Sequence, residues 1–201
     1  MVSITEGCVF VSKKRLIIGI TGASGSCFGV YALRLLRELP EWETHLVMTR
    51  NAELTIKTEL TEPVHYVTSL ADYLHNEDDV SASISSGSFQ AEGMLIAPCS
   101  MKTVSGIANG FSDNLLLRAA DVTIKEHRPL VILPREAPMS TIHLRNLLTL
   151  AELGVTIFPP VPAFYHNPEN IEDIVKHIIG RSLSYFNISN EGLYKSWQGV
   201  K

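Results

Sequence analysis

The sequence predicts an α/β fold, a three-layer sandwich in which one parallel sheet carries helices on both faces. Two observations lead there. Short apolar, β-branched runs alternate with longer segments of helical periodicity, the pattern of repeated βαβ units. Of the 201 residues, 45% are apolar and 19% charged, enough for one domain with a substantial core.

The first fourteen residues, MVSITEGCVFVSKK, lack a basic start, a full apolar stretch and a small-residue cleavage site. They are expected to be a flexible arm rather than a signal peptide, and residues 15–201 a single domain. The first strand is expected at Leu16–Thr21, followed by a glycine turn and an amphipathic helix at Cys27–Leu39. A second strand at Thr44–Thr49 leads to a helix at Asn51–Glu59. The polar insertion Glu62–Phe89 reads as a flexible loop and helix over the site. Beyond it come a strand at Met94–Ala97 and helices at Met101–Asn109 and Asn114–His127. A strand at Leu130–Pro134, a helix at Met139–Leu153 and a strand at Val155–Phe158 complete the alternation. The proline-rich FPPVPAFYHNP (158–168) reads as a structured loop before a last helix at Ile171–Phe186. Right-handed crossovers put ligand sites at the carboxyl ends of such strands.

Composition narrows the function. A net charge of −4 gives no polyanion-binding signal, so nucleic acid is not an expected partner. No run approaches the ~18 continuous apolar residues of a membrane span. Cys8, Cys27 and Cys99 are widely spaced and odd in number, which fits a reduced, cytoplasmic compartment. The seven histidines form no HExxH or comparable pair, so no protein-built metal site is expected.

The turn after the first strand, TGASG, carries Gly22, Ala23, Ser24 and Gly25, with Gly29 one helical turn on. Small residues let the backbone approach a phosphate held by free N–H groups at a helix start. A dinucleotide site usually has an acid ending the second strand; here Thr49 and Arg50 stand there. No Tyr-x-x-x-Lys pair and no Walker A lysine is present. A mononucleotide fits better than a dinucleotide.

Other polar groups gather at the strand ends. Ser100, Lys102 and Thr103 in PCSMKT would start the next helix beside the glycine turn. Cys99 reads as a small buried cysteine rather than a nucleophile. Arg118, Asp121 and Lys125 share one helix face, and Arg135 and Glu136 lie at the carboxyl tip of their strand. Tyr165 follows the last strand and Arg181 lies on the final helix. Several cations, a carboxylate and a phenol around a phosphate turn suit binding two phosphates and moving one proton.

The segments GITGASG, ISSGSF, PCSMKT, RAADVTIKEHRPLVILPREAP, IHL and PPVPAFYHNP together resemble the flavin prenyltransferase family, over nearly the whole chain from Arg15. The resemblance implies a Rossmann-like, flavodoxin-like subunit that assembles into a dodecamer with FMN at subunit interfaces. It implies transfer of a dimethylallyl group from dimethylallyl phosphate to N5 and C6 of reduced FMN. The prenylated FMN then goes to an aromatic acid decarboxylase. The implied FMN site is Gly22, Ala23, Ser24, Thr49, Ser100, Met101, Lys102, Thr103 and Arg135. The implied allyl phosphate site is Tyr165 and Arg181 with Arg118 and Lys125, and Glu136 is the implied proton shuttle. Ser24 and Glu59 match further active-site positions.

Two departures accompany the resemblance. Some members carry a tryptophan before the serine-glycine segment, whereas Asp78–Ile84 holds no aromatic residue, and Thr49 stands where serine is common. Two alternatives differ in kind. A non-catalytic flavin-delivery subunit would not need Lys125, Glu136, Tyr165 and Arg181 together. A flavin-dependent cysteine decarboxylase would carry a histidine after the second strand and an asparagine-bearing segment after the third, where this chain has TRNAELTIK and PCSMKT.

Overall fold

A computed structural model describes residues 12–188 and 194–199. Six parallel strands form one sheet: β1 (Lys14–Ile20), β2 (Trp42–Met48), β3 (Tyr73–His75), β4 (Gly93–Cys99), β5 (Leu130–Pro134) and β6 (Thr156–Ile157). Their order is β3-β2-β1-β4-β5-β6. Helices α1 (Ser26–Arg37), α2 (Arg50–Glu59), α3 (Val64–Thr68) and α7 (Ile171–Leu183) cover one face. Helices α4 (Met101–Ala108), α5 (Leu115–Lys125) and α6 (Thr141–Glu152) cover the other.

The central strands are covered on both faces, which is why they read as continuous apolar runs. Leu16, Ile18 and Ile20 of β1 point into the core under α1 and α7, and Ile17 into the core under α5. Gly29 brings α1 close to the sheet: a Cβ there would stand 2.4 Å from the Ala97 carbonyl oxygen and 2.7 Å from Ile20 Cδ1. Five helices begin at a side-chain cap, Thr49, Ser100, Asn114, Ser140 and Asn170, each accepting a backbone N–H of the first turn. Such caps contribute about 1 kcal/mol apiece.

The insertion departs from expectation. It holds α3, an edge strand β3 and a 3₁₀ turn at Ser83–Ser85, not a loop with one helix. β3 pairs with β2 through His45↔Tyr73, Leu46↔Leu74 and Val47↔His75. Tyr73 and Leu74 remain about half exposed at this edge, so no burial pattern betrays the strand. The expected arm lies mostly outside the described residues, and its last residue, Lys14, already pairs with Trp42 in β1. The final strand is two residues long rather than four, and the last helix ends in a 3₁₀ turn at Ser184–Phe186.

The chain leaves β1 toward β2 on one side and returns to β4 on the other. This reversal opens a crevice above the carboxyl ends of β1 and β4, where ligands bind in open α/β sheets.

Candidate functional site

Thr21, buried at the tip of β1, ties the crevice walls together. Its hydroxyl donates to the Pro98 carbonyl at 2.8 Å and accepts the Ser100 N–H at 2.8 Å. Above it lies a cavity of about 350 Å³ whose lining includes Gly22, Thr49, Arg50, Asn51, Ser100, Lys102, Thr103 and Asn114. Three of these, Thr49, Ser100 and Asn114, are the N-caps of α2, α4 and α5. Three helix N-termini thus open on one space, each presenting uncompensated N–H groups and the positive end of a dipole. The exposed Lys102 adds a cation. Only glycine fits at position 22, because a Cβ there would stand 2.5 Å from Asn51 Cβ.

This donor set fits a bound anion. A carboxylate already occupies one of the three N-termini: Glu77 accepts the Arg50 N–H at 2.8 Å, and its backbone carbonyl accepts the Leu115 N–H at 2.7 Å. Glu77 thus also takes the first N–H of α5, and the start of α4, with Lys102, is left to face a phosphate. The residues present therefore fit the phosphate end of a mononucleotide.

A second carboxylate sits at the start of α1. Glu59, the last residue of α2, accepts the Gly25 N–H at 2.9 Å and the Ser26 N–H at 2.9 Å. Partial burial would raise its pKa, yet hydrogen bonds from Ser24, Ser26 and Gly25 outweigh it and hold the carboxyl below its ordinary value. Ala23 is half-buried in the turn between Gly22 and Ser24. Met101, half-buried in the first turn of α4, packs on the core beneath.

Arg135 and Glu136 leave β5 beside this crevice. The Arg135 N–H donates to the Cys99 carbonyl at 3.2 Å, and Cys99 pairs with Pro134, so the tips of β4 and β5 are adjacent. Both side chains are exposed, and Glu136 accepts its neighbour's Ala137 N–H at 3.1 Å. Cys99 is fully buried and its thiol pKa is pushed far up by desolvation, which fits the inert reading.

The remaining candidates lie elsewhere in the chain. Arg118 donates to the Ser85 carbonyl at 3.2 Å and pairs with Asp121 at 2.6 Å, so two of the three residues expected on one face do meet. Lys125 pairs with Glu126 at the end of α5. Because α5 runs back along the sheet, Lys125 and Glu136 flank opposite ends of the five-residue β5. At about 3.3 Å per residue the strand alone keeps them about 15 Å apart. Arg181 likewise ends α7 at the amino edge of the sheet. Tyr165 lies along α7, its phenol on His177 Nε2 at 3.3 Å and the Lys195 carbonyl at 3.2 Å.

One chain therefore gathers Gly22, Thr49, Ser100, Lys102 and Thr103 around the cavity, Ser24 and Glu59 at α1, and Arg135 and Glu136 at the neighbouring tip. It does not bring Lys125 or Arg181 there. The sequence reading missed Arg50, Asn51, Glu77 and Asn114 as lining residues. Asn114 was legible as a cap before LLLRAA, whereas Glu77 had no local signal. Among the described residues, no group of three or more His, Cys, Asp or Glu is placed to hold a metal ion, and no helix is long and apolar enough to cross a membrane.

Comparison with known proteins follows the same lines. The Flavoprotein family matches residues 10–183. Flavin prenyltransferase UbiX of Escherichia coli (strain K12) is 50% identical over 188 residues, covering 93% of this chain and all of that protein. A dodecameric FMN-dependent UbiX-like decarboxylase from Escherichia coli O157:H7 is 50% identical, with a TM-score of 0.90 over 92% of this chain and all of its own. AnUbiX (PadA1), solved in complex with FMN and dimethylallyl pyrophosphate, is 47% identical, with a TM-score of 0.91 over 94% of this chain and all of its own. Sequence identity of this level along nearly the whole chain, on the same fold, means that the chain belongs to the flavin prenyltransferase family of flavoproteins.

Proposed function

We propose that this protein transfers a dimethylallyl group from dimethylallyl phosphate to N5 and C6 of reduced FMN, releases inorganic phosphate, and supplies prenylated FMN to a partner aromatic acid decarboxylase. The observation that carries the reading is the crevice of converging helix N-termini with Lys102, an anion cradle in a chain half identical to a flavin prenyltransferase. The complex of a relative with FMN and dimethylallyl pyrophosphate supports the donor class.

Reduced FMN, when bound, supplies electron-rich ring atoms that accept the allyl carbon. Gly22, Ala23, Ser24, Thr49, Ser100, Met101, Lys102, Thr103 and Arg135 would hold it, with its phosphate toward the start of α4. Tyr165, Arg181, Arg118 and Lys125 would hold the donor phosphate. When the ester C–O bond breaks, the electron pair leaves with the phosphate, and fixed cations stabilise the charge that develops. Lys125 and Arg181 lie at the other edge of the sheet, so neighbouring copies in a homo-dodecamer would bring them to the crevice. The dodecameric relative supports this assembly. Glu136 would take the proton that the ring releases and return it to the departing phosphate, with Arg135 beside it. The chemistry needs no metal from the protein, and a cytoplasmic setting suits three widely spaced cysteines.

Glu136→Gln tests the assignment. The variant is expected to retain FMN while single-turnover prenylation slows by about 10²–10⁴-fold. An unchanged rate would refute the proton-transfer role.

A further inference from the structure

We infer that His177 is a positioning residue that reserves the Tyr165 proton for the donor phosphate; this rests on the reading that Tyr165 binds dimethylallyl phosphate. His177 lies in α7, 5% exposed, one helical turn before Arg181. Residues four apart on a helix are neighbours on one face, so the phenol held by His177 stands beside the Arg181 side of α7.

The hydrogen-bond chemistry fixes the direction of each bond. Among the described residues, the Tyr165 oxygen has two hydrogen-bond neighbours, the Lys195 carbonyl at 3.2 Å and His177 Nε2 at 3.3 Å. A carbonyl can only accept, so the Tyr165 O–H donates to Lys195. Nε2 must then carry the proton and donate to the phenol oxygen. His177 is thereby a neutral Nε2–H tautomer, and its Nδ1, the lone-pair nitrogen, is buried without a partner. The ring is clamped face to face on His166, with centroids 4.2 Å apart and planes 6° from parallel. Burial, with His166 and Arg181 close by, holds the His177 pKa below its ordinary value, which keeps it neutral.

The consequence concerns what the phenol can do. In the opposite tautomer Nε2 would accept the Tyr165 proton, and the phenol would face a phosphate with lone pairs only. With Nε2–H donating, the phenol oxygen is anchored while its O–H stays free to swing from the Lys195 carbonyl to a phosphate oxygen. His177 touches no reacting atom in this account; it acts through Tyr165.

The test compares His177→Gln, whose amide reaches the Nε2 position, with His177→Asn, whose amide ends near Nδ1 and falls short of Tyr165. His177→Asn is expected to raise KM for dimethylallyl phosphate about five- to tenfold, the loss of one hydrogen bond, with FMN affinity unchanged. His177→Gln is expected to stay within about twofold of the native protein. Tyr165→Phe should raise the same KM, and Tyr165→Phe/His177→Asn should be no worse than Tyr165→Phe alone. Multiplying effects in the double variant, or equal KM values for the Gln and Asn variants, would overturn the positioning role while leaving Tyr165 a ligand. An unchanged KM in Tyr165→Phe would overturn the donor-site reading and the inference together.

Discussion

Glu59 closes α2 and caps α1, two helices that the sequence separates by a whole strand. Its folded-state pKa is depressed because hydrogen bonds from Ser24, Ser26 and Gly25 favour the charged form. A depressed carboxylate stabilises the fold above its unfolded pKa near 4.5 and loses that contribution as pH falls through the folded value. Glu59→Gln should therefore melt about 1–3 °C below the native protein at pH 7, a small effect because the side chain is exposed to solvent. The gap should narrow as pH falls below 4.5 and close only below the depressed folded value, where the carboxyl is neutral in both folded and unfolded chains. A gap that persists unchanged at pH 3 would contradict the assignment. Residues of this kind mark the limit of what sequence shows. Glu77 reaches the Arg50 N–H across 27 positions, and no spacing rule links the two. Gly22 and Ser100 are legible, because a glycine turn and a helix cap each announce themselves within a few residues.

Elements were legible in proportion to their burial. β1, β4 and β5 are covered on both faces and read as apolar runs, and β2 is legible from its apolar end; the edge strand β3 is short, mostly exposed and carries no such mark, whereas the half-buried edge strand β6 falls inside the expected Val155–Phe158 run but is shorter. The glycine turn and α1 were read correctly as one unit, and the structure adds why α1 can sit so low. At Gly29 the helix meets the Ala97 carbonyl and the Ile20 side chain with no room for a methyl group. Gly29→Ala should cost about 1–3 kcal/mol of stability, read by denaturant unfolding, by pushing α1 off β1 and β4. The displaced helix carries Gly25 and Ser26 away from Glu59, so the cap should weaken with it. A variant as stable as the native protein would show that this contact relaxes freely.

At the scale of the whole molecule, the polar groups divide between the two edges of the sheet. The anion cradle and Glu136 lie at the carboxyl edge, and Lys125 and Arg181 close their helices at the amino edge. Sequence alone placed these residues in one list, because it records which groups are present and not which end of a helix they occupy. The division predicts active sites shared between copies. Lys125→Ala and Glu136→Gln should each be slow alone, whereas co-expressed chains should recover roughly a quarter of native activity, the share of sites that pair two intact residues at random. No recovery would place all the chemistry within one chain. The central claim is that flavin is the group being modified. Purified protein incubated anaerobically with FMN, a chemical reductant and dimethylallyl phosphate, then analysed by mass spectrometry, tests it most directly. The account predicts a flavin heavier by one five-carbon prenyl unit, with inorganic phosphate released in equal amount. Recovery of unmodified FMN alone, with dimethylallyl phosphate or the diphosphate as donor, would contradict it.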